Sequence, residues 1–350
     1  MEMLSQKPKN GWWLAALGVG AIAGYTLLKK SRPRFDFQGK VVLITGGSRG
    51  LGLILARSLA ERGARLAICA RDEAGLLRAE ADLRARGAEV FQTVCDVRNQ
   101  SEVNRTVEAV RNHYGQIDAL INNAGVIQVG ALEDQTQEDF ENALAVHFWG
   151  AFYMMQAVLP EMKQRGAGRI VNVSSIGGKM AVPHLAPYCA SKFALVGLSS
   201  AMRVELEKDG VYVTTVCPGL MRTGSHVNAV FKGQNEKEFA WFSIGNSLPV
   251  SSINAERAAE QIIEAATRGD AELIVSIQAK IAAATNALLP ELTAEISNLV
   301  NRILPAAGGI GTKHALGKDS QSIVSPSFLT TLIDEESRLN NELEQGEKLN

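Results

Sequence analysis

From residue 40 to about residue 276 the chain alternates short apolar runs with longer amphipathic stretches, and nothing else in it limits the fold as much. The runs are Lys40–Thr45, Arg65–Ala70, Glu89–Val94, Ile117–Asn122, Arg169–Ser174, Val211–Val216 and Glu272–Val275. They are short, rich in β-branched residues and apolar on both faces, as parallel strands covered by helices must be. The stretches between them, such as Leu51–Arg62 and Ser101–Tyr114, are long enough for crossover helices. Repeated strand–helix–strand units of this kind predict an α/β fold, a doubly wound seven-stranded parallel sheet with helices on both faces.

The first run leads straight into Thr45-Gly46-Gly47-Ser48-Arg49-Gly50-Leu51-Gly52, and a helical pattern follows at once. Glycines at 46, 50 and 52 permit a tight turn, close approach of a pyrophosphate to backbone N–H groups, and close packing of helix on strand. The helix N-terminus adds positive potential for the phosphates. Set between strand and helix, this loop makes the fold Rossmann-type and makes Gly46, Ser48, Arg49, Gly50, Leu51 and Gly52 candidate cofactor contacts. Where an acid at the end of the second strand would bind a ribose 2′-hydroxyl, the chain has Ala70 followed by Arg71. Arg71 and Arg49 offer two cations to a 2′-phosphate, which points to NADP(H) as cofactor. Ordinary solvated arginines are the alternative, but both flank the same ribose site in the expected fold, which favours NADP(H).

Tyr188 and Lys192 are spaced i, i+4 in a segment of helical periodicity after Pro187, so they share one helix face. A phenol with its ordinary pKa of about 10 is a poor acid or base at neutral pH, and a nearby ammonium favours the phenolate. Ser175 lies thirteen residues before Tyr188, at the carboxyl end of a strand, where open α/β sheets place their ligands. Its hydroxyl can hold a substrate oxygen while Tyr188 transfers a proton and nicotinamide a hydride. A Tyr-x-x-x-Lys pair alone occurs on many helices, and Ser175 alone fits a turn. Their order after the glycine loop is what gives the set weight.

The chain resembles the short-chain dehydrogenase/reductase family in its compact single-domain form. The motifs are TGGSRGLG at 45–52, CDV at 95–97, NNAG at 122–125, VNVSS at 171–175, YCASK at 188–192 and CPGLMRT at 217–223. They run in order over about residues 37–276. The resemblance implies that Asp96 and Val97 flank the adenine and that Asn123, Ala124 and Gly125 line the adenosine side. It implies that Pro218, Gly219 and Thr223 hold the nicotinamide end. Tyr188 would be the acid/base, Lys192 its electrostatic partner and ribose anchor, and Ser175 the donor to the substrate oxygen.

One departure stands out. Where the family usually has an asparagine in an N-x-x-G pattern, holding water in a proton relay, this chain has His147, three residues before Gly150. Histidine also exchanges protons near neutrality. Taking over the relay and merely filling space are both open, and His147 joins the catalytic candidates.

The flanks differ from this domain, which is assigned residues 37–276. Within residues 1–36, Gly11–Leu28 carries no charge, and Lys29, Lys30, Arg32 and Arg34 follow. Eighteen helical residues rise about 27 Å, near the hydrocarbon thickness of a bilayer, and the trailing basic cluster would keep the domain on the cytoplasmic side. A membrane anchor, a cleaved signal peptide and an ordinary apolar helix all fit, the last leaving a soluble cytoplasmic protein. Residues 277–350 read as an apolar helical extension, interrupted at Pro290, and then a polar acidic tail. The apolar part suits a substrate pocket, a subunit contact in a homo-oligomer or a membrane surface.

A net charge of −1 provides no basic face for nucleic acid, and the scattered five histidines and four cysteines show no metal-ligand spacing. Cys69, Cys95, Cys189 and Cys217 read as reduced packing residues. Phe231, Phe239, Trp241 and Phe242 lie where such a fold covers its substrate. They fit either a lipophilic alcohol or carbonyl or plain loop packing. Three functions stay open: an NADP(H)-dependent oxidoreductase, a dinucleotide-binding regulator with little turnover, and a membrane-tethered interaction protein.

Overall fold

The computed structural model describes residues 34–322, 325–327 and 329–343. The predicted sheet is there, with seven strands: β1 Val41–Thr45, β2 Arg65–Ala70, β3 Val90–Val94, β4 Ala119–Asn122, β5 Gly168–Val173, β6 Val211–Pro218 and β7 Glu272–Val275. Their order is β7-β6-β5-β4-β1-β2-β3, and every pairing is parallel. The order reverses beside β1, and the crevice at the carboxyl ends of β1 and β4 is where such sheets receive ligands.

Alternate residues of β1 feed two cores. Val42 and Ile44 meet Leu53 and Leu59 of α1 (Gly50–Ala60), Leu76 and Leu83 of α2 (Glu73–Ala85), and Ile262 of α8 (Ala255–Arg268). Val41 and Leu43 face the other way, toward Val103 and Val107 of α3 (Gln100–Tyr114) and Met154 and Val158 of α5 (Gly150–Arg165). Each such side chain removed from water stabilises the fold by about 1.5–3 kcal/mol. All four cysteines are free and buried.

The structure departs from the sequence reading in particular places. β6 runs on through Cys217 and Pro218, because β7 pairs with Val216, Cys217 and Pro218. Between α4 (Gln137–Leu144) and α5 the helix loosens into a π turn, Ala145–Trp149, which carries His147. Helix α6 spans Ala186–Leu206 and α7 Asn235–Ser247.

Beyond β7, α9 (Ile277–Leu288) and α10 (Pro290–Asn301) form a largely exposed pair on either side of Leu289. The polar tail then turns back onto the domain. Ala315–Leu316 pairs antiparallel with Val230–Phe231, which pairs in turn with Gln128–Val129. Helix α11 (Thr331–Leu339) packs against α7, and residues 339–343 then reach the glycine loop and α1. The anchor candidate, residues 11–28, lies outside the described residues.

Candidate active site

The loop after β1 is shaped by glycine. Gly46 has φ +65°, and a Cβ there would stand 2.9 Å from the Cα of Ala124. A Cβ on Gly52 would stand 2.0 Å from the Gly46 carbonyl. Only bare backbone lets α1 start this close to β1 and β4. Thr45 ties the loop down: its Oγ1 accepts from the N–H groups of Asn123 and Ala124, both at 3.0 Å. Asn123 Nδ2 donates to the carbonyls of Thr45 and Gly46. Arg49 begins α1 without a side-chain cap. A compact glycine turn opening a helix that its own N-cap side chain leaves free fits the diphosphate of a dinucleotide.

Arg71 is exposed just past β2, and its charge helps hold Asp96 in the ionised form. Burial alone would raise the Asp96 carboxyl, but hydrogen bonds from Arg98 take it below the usual range. Val97 packs against Gly150, and Gly125 sits beside the His147 ring. Pro218 closes β6, Gly219 N–H donates to the Val275 carbonyl, and buried Thr223 bonds the hydroxyl of Ser225. Gly46, Arg71, Asp96, Asn123 and Pro218 thus lie at or just past the carboxyl ends of β1, β2, β3, β4 and β6.

Ser175 lies two residues past β5 and caps the turn that follows, accepting from Gly177 N–H at 3.1 Å. Tyr188 and Lys192 rise from the first turns of α6. Gly177, whose N–H holds the Ser175 hydroxyl, lies against the Tyr188 ring, and Lys192 Nζ stands 5.5 Å from the Tyr188 ring centre. The expected electrostatics are not what this arrangement gives. Burial pushes Tyr188 up to about 12, with the Ser175 hydrogen bond opposing. Burial likewise brings Lys192 down to about 7. Lys192 Nζ donates to the Val173 carbonyl at 2.9 Å, so its bond goes to the backbone rather than to the phenol.

His147 is buried, its ring edge-on to Tyr188 at 5.5 Å. Nε2 accepts from Val126 N–H at 3.1 Å, and Nδ1 lies 2.7 Å from Ser191 Oγ. The Ser191 hydroxyl donates to the Tyr188 carbonyl, so His147 Nδ1 carries the proton of that contact. Burial, and then the charge of Lys192, hold His147 well below its ordinary pKa. The ring is neutral with both nitrogens engaged.

A family profile described as short chain dehydrogenase matches residues 40–232. The chain belongs to the short-chain dehydrogenase family. Its fold and crevice are those of a nicotinamide-dependent oxidoreductase of this family. It is 37% identical over 191 residues to a ketoacyl reductase of Nostoc sp., covering 54% of this chain and 67% of that one. An actinorhodin polyketide ketoreductase variant solved with NADPH superposes with a TM-score of 0.61 at 33% identity, covering 68% of this chain and 95% of the other. A short-chain dehydrogenase/reductase from Burkholderia phymatum in complex with NAD reaches a TM-score of 0.67 at 26% identity, covering 74% and 96%.

Short-chain dehydrogenase motifs leave much of this site unread. Phe231, Phe239 and Phe242 are buried against one another and against Val129, Leu185 and Cys189, with Tyr188 and Trp241 packed alongside. They form a small core behind the phenol rather than an open apolar surface. Beside them His184 has φ +63° and bonds to Glu238, which also accepts from Trp241 Nε1. Lys232 and Asp139 form a buried ion pair at 2.5 Å, supported by Gln128 and Thr136. Beneath the site Asn122, Asn172, Ser199 and Thr215 form a buried hydrogen-bonded chain. Of these, only Asn122 and Asn172 fall in motifs singled out from sequence.

Proposed function

We propose that this chain is an NADP(H)-dependent reductase of a lipophilic carbonyl compound, working through Ser175, Tyr188 and Lys192. The observation that supports this reading is the placement of Ser175 just past β5 beside the start of α6, where Tyr188 lies against Gly177 of the Ser175 turn and Lys192 stands 5.5 Å from its ring centre. Gly46, Gly50, Leu51 and Gly52 would hold the diphosphate. Arg49 and Arg71 would hold the 2′-phosphate, Asp96, Val97 and Asn123 to Gly125 the adenosine, and Pro218, Gly219 and Thr223 the nicotinamide end. When bound, the nicotinamide supplies a hydride to the carbonyl carbon.

Ser175 donates a hydrogen bond to the substrate oxygen and fixes it beside Tyr188. Tyr188 is protonated at neutral pH, so it enters as the acid and gives its proton to the oxygen as negative charge grows there. Lys192, brought down to about 7 by burial, favours the phenolate left behind when it carries its proton. Hydride and proton together turn C=O into CH–OH. His147 is assigned a positioning role, because both ring nitrogens are committed to Val126 and Ser191. Tethering through residues 11–28 would bring the domain to lipophilic substrates at a membrane.

The test is NADPH and NADH oxidation by detergent-purified full-length protein against ketoacyl, steroid, retinoid and quinone carbonyls. Turnover with NADPH on at least one apolar carbonyl is expected. Binding of dinucleotide without turnover on any of them would remove the reductase reading.

A further inference from the structure

The C-terminal segment lies across the crevice just assigned to the dinucleotide. Glu342 is buried, with its side chain only 3% exposed. A Cβ added to Gly50 would lie 2.4 Å from Glu342 Oε1, so the carboxylate sits directly against the glycine turn. Oε2 accepts from Asn228 Nδ2 at 2.7 Å and lies 3.5 Å from Arg49 Nε. The main chain fills the rest of the helix N-terminus: Gly50 N–H donates to the Asn340 carbonyl at 2.9 Å.

The neighbouring residues lock this placement from both sides. Asn341, with φ +57°, donates to the carbonyls of Ser48 at 2.7 Å and Gly75 at 3.0 Å, and accepts from Arg78. Arg57 holds the Leu339 carbonyl and the Asn340 side chain, both at 2.9 Å. Toward the nicotinamide end, Ser337 bonds the Gly224 carbonyl, and a Cβ on Gly224 would meet the Ser337 Cα at 2.4 Å. Asp334 reaches His226 at 3.1 Å. The strap therefore contacts α1, α2 and the loop after Thr223 at once, which a loosely settled tail would not do.

We propose that residues 331–343 are an internal competitor for the cofactor, with Glu342 standing in for the dinucleotide phosphates and setting how tightly dinucleotide binds. This rests on the cofactor reading above. A carboxylate and a diphosphate need the same helix N-terminus and the same Arg49 cation, and two anions cannot share them. Dinucleotide binds only the fraction of molecules whose strap has left, so its apparent affinity falls by that fraction. Weakening the strap tightens binding without touching any residue that contacts cofactor.

The experiment uses the full-length chain and NADPH as probe. Asn341→Ala with Glu342→Ala removes the side-chain bonds to Ser48, Gly75, Arg78 and Asn228 and the carboxylate beside Arg49, leaving Asn228 on the Glu342 carbonyl. NADPH should then bind at least about tenfold tighter by fluorescence titration. Independently, hydrogen–deuterium exchange of peptides covering 331–343 in the unmutated chain should speed up on saturation with NADPH. Slower exchange there would show the strap closing over the nucleotide and would overturn the proposal, as would NADPH affinity unchanged in the variant. If the double variant does not fold, the exchange measurement decides alone. Absence of NADPH and NADH binding by both proteins would instead overturn the cofactor reading on which the proposal stands.

Discussion

Lys192 Nζ stands 5.5 Å from the centre of the Tyr188 ring and gives its hydrogen bond to the Val173 carbonyl. The pair shares a helix face, as i, i+4 spacing requires, yet burial governs both groups more than they govern each other. The phenol keeps its proton and the lysine titrates near neutrality. In the proposed reaction such a site donates a proton, and its pH behaviour near neutrality would follow the lysine.

Replacing Tyr188 with Phe removes the only proposed proton donor while leaving the ring that packs against His147 and Cys189. Turnover on a carbonyl probe should fall by about 10²–10⁴-fold, the usual worth of a positioned general acid. NADPH affinity should stay within a few-fold, because the glycine loop is untouched. Steady-state kinetics and fluorescence titration on the same preparation check both halves. Full turnover would take Tyr188 out of the mechanism.

Lys192 also leaves a mark on stability. Folding lowers its pKa from 10.5 to about 7, so between those values the unfolded chain binds more protons than the folded one. Stability therefore rises with pH over that window and loses this gain as pH falls toward 7. Lys192→Met removes the titration. Urea midpoints measured at pH 7.5 and 9.5 should rise more in the natural chain than in the variant, and equal slopes would contradict the burial argument.

His147 separates a positioning residue from a relay. Its folded pKa lies well below 6.5, so the ring is neutral at working pH, and stability is lost as pH falls below 6.5 toward the folded value. His147→Ala leaves the Val126 N–H without its acceptor and should cost about 1–3 kcal/mol in urea unfolding. His147→Asn should flatten the acid-side stability loss while leaving the pH–rate profile near neutrality where it was. A displaced profile would restore the relay.

What could be read in the sequence was what is encoded locally. The strands announced themselves through apolar runs, the loop through glycines at 46, 50 and 52, and the Tyr188–Lys192 pair through helical spacing. The placement of Ser175 followed from its strand end. Glu342 could not be found this way, because its partners are Arg49 and Asn228, far off in the chain, and a polar acidic stretch carries no periodicity to betray a docked segment. The phenylalanines of 231–242 showed an apolar demand without saying what would satisfy it, and the structure meets it with their own packing. His147 was conspicuous as a residue type, but its role depends on which atoms its two nitrogens meet.

The proposed preference for NADP(H) rests on Arg71. It is exposed past the end of β2, whereas Arg49 is already beside the Glu342 carboxylate. Arg71→Asp places a carboxylate where a 2′-phosphate would sit and where a 2′-hydroxyl could donate to it. The ratio of kcat/KM for NADPH over NADH should fall about tenfold or more, as expected for losing a charge-assisted contact. An unchanged ratio would remove Arg71 from the cofactor site.

The buried pair of Lys232 and Asp139 holds together the wall behind Tyr188. Burial alone would raise the Asp139 carboxyl, but hydrogen bonds from Lys232 and Thr136 take it below the usual range. Its contribution is thus present above the ordinary carboxylate pKa and is lost as pH falls through the depressed folded value. Asp139→Asn leaves the Lys232 ammonium, 3% exposed, without its counter-charge, and a broken buried pair typically costs about 3–5 kcal/mol. Replacing both partners with apolar residues, Asp139→Leu with Lys232→Met, should recover much of that loss, since desolvating the two charges cancels much of their attraction. Thermal melts of the single and double variants check this. Because neither residue faces the nucleotide, NADPH affinity should follow in neither case, and a large change in it would mean that the pair reaches the crevice through the strand at Val230–Phe231.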